Sequence, residues 1–142
     1  MRVIEARNLW KEYRLKKQRV LALRGVDLRV EEGEFLVLSG PSGSGKTTLL
    51  NLLGGLDRPT RGEVWVAGEP LHRLPERARC RLRSSTVGYI FQAFNLLPVL
   101  TAYENVEYPL LLLGMRPRER RRRVREVLER VGIGSSTCAT AP

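Results

Sequence analysis

The chain is poor in the residues that build disulfide, metal and membrane structures. It has only two cysteines, Cys80 and Cys138, in 142 residues. They are too few and too far apart for a disulfide framework or a thiolate metal site, so free thiols in a reducing compartment are expected. The one histidine, His72, lies in a polar, proline-flanked stretch and reads as surface decoration rather than catalysis. No apolar run approaches the ~18 residues of a membrane-spanning helix, and the longest, "PLLLLG" at residues 109–114, is far shorter. The N-terminal "MRVIEARNLWKEYR" lacks the apolar centre of a secretion signal. A cytosolic location is therefore expected, unless a partner holds the chain at a membrane. Aromatic residues make up 6% of the chain and are not interleaved with the arginine clusters at residues 77–83 and 116–130. Without a stacking platform, the net charge of +10 does not point to nucleic acid. Anionic headgroups of a cytoplasmic leaflet suit the same charge.

Against this background one stretch stands out: "FLVLSGPSGSGKTTLLNLLGGL", residues 35–56. Its first four residues form an apolar run that predicts a short buried strand. Residues 40–47 then match G-x-x-x-x-G-K-[ST] in full. Gly40, Gly43 and Gly45 remove side chains where backbone must approach a ligand closely or take a positive φ. Successive backbone N–H groups then form a concavity for anions, and the start of the following helix adds its positive end. Lys46 supplies a point charge for β- and γ-phosphate oxygens, and the Thr47 hydroxyl is placed for Mg²⁺. In the helix, Leu49, Leu50, Leu52, Leu53 and Leu56 have the spacing of a buried face.

Around this centre the pattern predicts strands at residues 3–9 and 21–30, the latter alternating through Val26, Leu28 and Val30. Residues 11–20 read as a charged hairpin or loop. Further strands are expected at residues 63–70 and 86–92. Thr101 and Glu104 form an [ST]-x-x-E capping box opening a helix towards Leu113. Pro117 sits in the first turn of another helix, whose apolar face is Val124, Val127, Leu128 and Val131 and whose end is Gly132 or Gly134. Glu119 with Arg123 and Glu126 with Arg130 are expected surface pairs. Residues 134–142 show no periodicity and read as a disordered or out-of-frame tail, leaving residues 1–133 as the folded domain.

Three features carry a family resemblance. Tyr13 lies in a strand-loop segment upstream of the phosphate loop. "GGLDRPTRGEVWVAGEP" at residues 54–70 and "VGYIFQAFNLLPVLTAYENVEYPLLL" at residues 87–112 are long and specific. Together they resemble the ATP-binding subunits of ABC transporters, most closely the branch serving lipoprotein-release and macrolide-export permeases. The resemblance implies an α/β fold: a P-loop NTPase with a RecA-like core, incomplete here, an N-terminal antiparallel β-subdomain and the start of a helical subdomain. It implies that Tyr13 stacks on adenine, and that Ser42, Gly43, Ser44, Gly45, Lys46, Thr47 and Thr48 cradle the phosphates of ATP. Gln92 would reach Mg²⁺ and the attacking water, since a neutral amide orients water without taking its proton. Phe94, Leu96 and Leu97 would help receive a cytoplasmic helix of a permease, or else serve as core of the helical subdomain. A second copy would complete a homodimer at the cytoplasmic face of the membrane.

Hydrolysis also needs a carboxylate on Mg²⁺. No apolar run here ends in Asp-Glu, and the family's Ser-Gly-Gly signature and switch histidine are absent. In the family these follow the point where this chain stops, so C-terminal truncation is expected. With it come a first strand lacking neighbours, marginal stability and aggregation. Two rival readings stay open: a truncated relic that binds nucleotide or nothing, and a P-loop kinase for small molecules.

Overall fold

The computed structural model describes residues 1–15, 18–93 and 95–133. Its contacts divide the chain into two compact units, Met1–Gly88 and Tyr89–Pro142.

The first unit is built on an antiparallel sheet. Strands β1 (Arg2–Leu15) and β2 (Gln18–Glu31) form a long hairpin. Strand β3 (Arg61–Val66) pairs with the other edge of β1, and the short β4 (Glu69–Pro70) follows a turn, giving the order β2-β1-β3-β4. The expected hairpin thus extends the predicted strands in both directions. Its register breaks around Asn8, whose N–H donates to Asp27 Oδ1 at 2.8 Å and whose Oδ1 accepts from Trp10 Nε1 at 2.7 Å. Gly62 lies on β3 opposite this irregularity with φ of 87°. A Cβ there would run into the Asn8 carbonyl, so the two strands approach closely only because position 62 has no side chain.

Helix α1 (Lys46–Leu53) lies on the sheet. Leu49, Leu52 and Leu53 are buried with Ala6, Leu9, Leu23, Val64, Val66 and Leu71 in one core. Leu50 and Leu56 do not join this face; they are exposed. Past the helix end the chain turns at Gly55 (φ 73°), with the Leu56 N–H donating to the Asn51 carbonyl at 2.8 Å.

A helix that the arginine-rich pattern did not predict, α2 (Glu76–Thr86), follows. Arg79 is buried, paired with Glu76, and Arg83 donates to the Gly55 carbonyl at 2.7 Å. These two cations face the carbonyl end of α1, where positive charge is favoured. They are structural rather than part of a surface patch. His72 is likewise a correction. Its side chain is only 12% exposed, its Nδ1 lies 3.2 Å from the Val64 backbone, and its ring meets Trp65 edge-on.

Two expected strands are absent among the described residues. Residues 35–38 are not in a strand, and Phe35 is 90% and Val37 68% exposed. A strand exists only as a hydrogen-bonded ladder, and the described strands that could supply one all belong to the antiparallel sheet. Of this run, Leu38 packs against the core. The same reason applies to residues 86–92. Thr86 closes α2, and Ile90 is fully exposed.

The second unit pairs α3 (Ala102–Leu112) with α4 (Pro117–Arg130). The capping box is formed: Thr101 Oγ1 accepts from the Glu104 N–H at 3.2 Å, and Glu104 Oε2 accepts from the Thr101 N–H at 2.8 Å. Arg120 joins the helices by donating to Glu107 Oε1 at 2.8 Å. On α4, Val124 and Leu128 are buried while Val127 and Val131 are exposed. The Glu119–Arg123 pair is present at 3.4 Å, and Glu126 pairs with Arg122 at 3.7 Å. Gly132 ends the helix with φ of 78°. The expected tail at residues 134–142, Cys138 and Phe94 lie outside the described residues.

The loop after α1 is tied to β1 by Thr60, which exchanges hydrogen bonds with Trp10 and Glu12, and by the Asp57 carboxylate. Asp57 Oδ1 accepts from Lys11 Nζ at 2.7 Å, and Asp57 Oδ2 accepts from the Tyr13 hydroxyl at 2.9 Å. Burial alone would raise the Asp57 pKa, but the Lys11 ammonium, the Arg58 N–H and the Tyr13 hydroxyl outweigh it and hold it below the ordinary value of 3.8.

Gly62→Ala is expected to destabilise the first unit by roughly 3 kcal/mol or more, because it combines a strained φ with a backbone collision. Gly88→Ala, with open space around its Cβ, is the neutral control; urea midpoints of both variants check this. The Asp57 contribution is present above about pH 4 and is lost as pH falls through the depressed folded value. In Asp57→Asn that acid dependence should flatten, read as the unfolding midpoint against pH. The exposed apolar run at residues 35–37 should make thermal unfolding depend on protein concentration. A cooperative, concentration-independent transition would contradict that.

Candidate functional site

The phosphate-loop residues come together at the amino end of α1. Gly40, Gly43 and Gly45 have φ of 149°, 80° and 91°, values that disfavour a Cβ. Gly45 is the N-cap and supplies no side chain, so no side chain caps the first turn of α1. A Cβ on Gly45 would meet the Ala22 carbonyl at 2.6 Å and Leu23 at 3.0 Å. The loop is thus seated against β2 at a point that only glycine fits. The Ser44 N–H donates to the Pro41 carbonyl at 3.3 Å, folding the loop tightly.

Lys46 leans back across this loop. Its Nζ donates to the carbonyls of Gly40 at 2.7 Å and Pro41 at 2.8 Å, and approaches Ser44 Oγ at 3.3 Å. Among the described residues only neutral acceptors hold the ammonium. A polyanion in the concavity offers it stronger, charge-assisted bonds. Thr47 and Ser42 are exposed, and Thr48 is partly buried.

Tyr13 on β1 reaches the same end of the helix. Burial raises its pKa, the hydrogen bond to Asp57 adds to that, and a hydrogen bond with Thr48 opposes it. The ring therefore stands beside the first turn of α1, two residues beyond Lys46. Lys11 Nζ lies 4.8 Å from its centroid, over one face. Reading the sequence missed Asp57 and Lys11. Asp57 meets Tyr13 only in three dimensions, 44 residues away, and Lys11, two residues before Tyr13 on β1, is drawn over the ring by Asp57.

The structure thus gathers Tyr13 and Gly40 with the run from Ser42 to Thr48. Gln92 belongs to the second unit, where its side chain is exposed. In that unit, Asn105 organises the segment before α3. Its Oδ1 accepts from the Leu97 N–H at 2.8 Å, and its Nδ2 donates to the carbonyls of Leu97, Leu100 and Thr101.

The residues present fit a nucleoside polyphosphate: bare amides at a helix start, one mobile cation and an aromatic ring alongside. They fit Mg²⁺ as an ion that arrives with phosphate oxygens. The Thr47 hydroxyl is at hand, and among the described residues no cluster of three or more carboxylate, imidazole or thiol groups forms a cage.

The ABC transporter family matches residues 23–141. An uncharacterized ABC transporter ATP-binding protein of Thermotoga maritima is 50% identical over 133 residues, covering 94% of this chain and 57% of the relative. The lipoprotein-releasing system ATP-binding protein LolD of Pseudomonas syringae pv. tomato is 48% identical over 93% of this chain and 58% of its own length. The dimeric, post-hydrolysis structure of the ATP-binding cassette MJ0796, bound to ADP and Pi, superposes with a TM-score of 0.87 at 39% identity. That match covers 98% of this chain and 61% of the cassette. The chain spans a little under three fifths of the length of the curated relatives it matches. Its fold is that of a P-loop ATPase cassette with an antiparallel N-terminal sheet, and the chain belongs to the ABC transporter family.

Proposed function

We propose that this chain binds MgATP through residues 40–48 and acts as part of the ATP-binding subunit of an ABC transporter. The observation that carries the reading is the glycine loop with positive φ at Gly43 and Gly45, seated on β2 and crossed by Lys46. Gly40, Ser42, Gly43, Ser44 and Gly45 line the phosphates with backbone and hydroxyl groups. Lys46 exchanges its loop carbonyls for β- and γ-oxygens, Thr47 ligates Mg²⁺, and Thr48 and Tyr13 border the nucleoside. Mg²⁺ when bound neutralises phosphate charge as a Lewis acid. Gln92 holds Mg²⁺ and orients water, a role resting on its motif.

The transport role follows from the relatives. In this reading a second copy sandwiches two ATP molecules, as the dimeric MJ0796 cassette bound to ADP and Pi suggests. Hydrolysis then drives membrane permease subunits, with the chain peripheral at the cytoplasmic face. No described helix is long and apolar enough to cross a membrane itself. Leu96 and Leu97, exposed in the segment before α3, receive a permease helix. A second reading, nucleotide binding without turnover, is favoured for these residues by one observation: no apolar run in them ends in Asp-Glu. Phosphate release from ATP by the purified chain distinguishes the two.

Lys46→Ala should weaken MgATP by about 100-fold or more, the loss of charge-assisted bonds to two phosphates. Titration calorimetry reads this directly, and unchanged affinity would refute the cradle. Thr47→Ala should instead remove most of the Mg²⁺ dependence of the affinity while sparing binding of the metal-free nucleotide.

A further inference from the structure

Resting on the reading of residues 40–48 as a nucleotide cradle, we propose that Asp57 is a positioning residue that sets the Tyr13 ring as the platform for the nucleotide base, with Lys11 as its second lever. One carboxylate does both jobs. Its Oδ2 accepts from the Tyr13 hydroxyl at 2.9 Å, and its Oδ1 accepts from Lys11 Nζ at 2.7 Å. Lys11 also donates to the Arg58 carbonyl at 2.7 Å, and the Arg58 N–H donates back to the carboxylate at Oδ1. The ammonium is therefore held in place over the ring, 4.8 Å from its centroid.

The tip of the ring is held by the hydrogen bond from the Tyr13 hydroxyl to Asp57, with Thr48 nearby. One ring face is covered by the Lys11 ammonium, and the base is assigned to the opposite face. Thr48, which the Tyr13 hydroxyl meets, follows the phosphate loop directly in the chain, so ring and cradle are neighbours. A free tyrosine side chain would lose rotational freedom when a base stacked on it; one already clamped does not. The clamp therefore favours ligands that carry a base over bare polyphosphate.

A purely structural tie between β1 and the loop after α1 would use the same bonds. The two roles separate when a ligand with a base is compared with one without. Mg²⁺ complexes of ATP and of inorganic tripolyphosphate are titrated against the full chain and its variants Asp57→Asn and Tyr13→Phe. Each variant is expected to weaken ATP about tenfold, within the range of a base–aromatic stack, and to leave tripolyphosphate within about twofold. The double variant is expected to be no weaker than the weaker single one, because both remove the same bond. If Asp57→Asn does not fold, Tyr13→Phe, which keeps the ring and loses one hydroxyl, carries the test.

Equal weakening of both ligands would overturn the proposal in favour of the structural tie. Unchanged ATP affinity in Tyr13→Phe would overturn it as well, as would equal affinity of the unsubstituted chain for ATP and tripolyphosphate. Failure of the unsubstituted chain to bind either ligand is a different result, and would remove the cradle itself.

Discussion

Everything at the candidate site depends on α1 being pressed against the antiparallel sheet by Leu49, Leu52 and Leu53. Eight residues are too few for a helix to persist alone in water. Burying each leucine contributes about 1.5–3 kcal/mol, and three of them on one face hold the helix in a single orientation. The phosphate loop has no comparable support of its own. It inherits its position from the helix that follows it and from the strand on which Gly45 rests.

The two ends of α1 are treated differently, each in keeping with its polarity. At the amino end, glycines leave backbone N–H groups without side-chain caps. At the carboxyl end, Gly55 turns the chain and Arg83 from α2 takes the Gly55 carbonyl. Asp57, just beyond, reaches back to β1. The helix is thus a short strut between a ligand-facing end and an end locked to the surrounding unit.

What could be read from the sequence was local. The loop, α1, the hairpin and the Thr101–Glu104 box are each specified by neighbours within a few residues, and each is present. The strand expected at residues 35–38 is not, because pairing is a property of two segments and composition describes only one. Helix α2 was hidden because two of its arginines are inward-facing, which inverts the usual polarity of the helical pattern. Leu50 carries the right residue type on the outer side of α1, and Leu56 falls beyond the end of that helix; both are exposed. The bonds from Asp57 to Lys11 and Tyr13 span more than forty residues and leave no local trace. Gln92 was recognised from its motif, and it lies outside the unit that contains the loop.

The posture of Lys46 has an energetic consequence. The loop acts as its own competitor: the Gly40 and Pro41 carbonyls already occupy the ammonium. An arriving anion performs an exchange rather than a simple addition, so the enthalpy of capture is a difference between two sets of ammonium bonds. If phosphate binds as proposed, the heat evolved would understate the strength of its contact with the lysine.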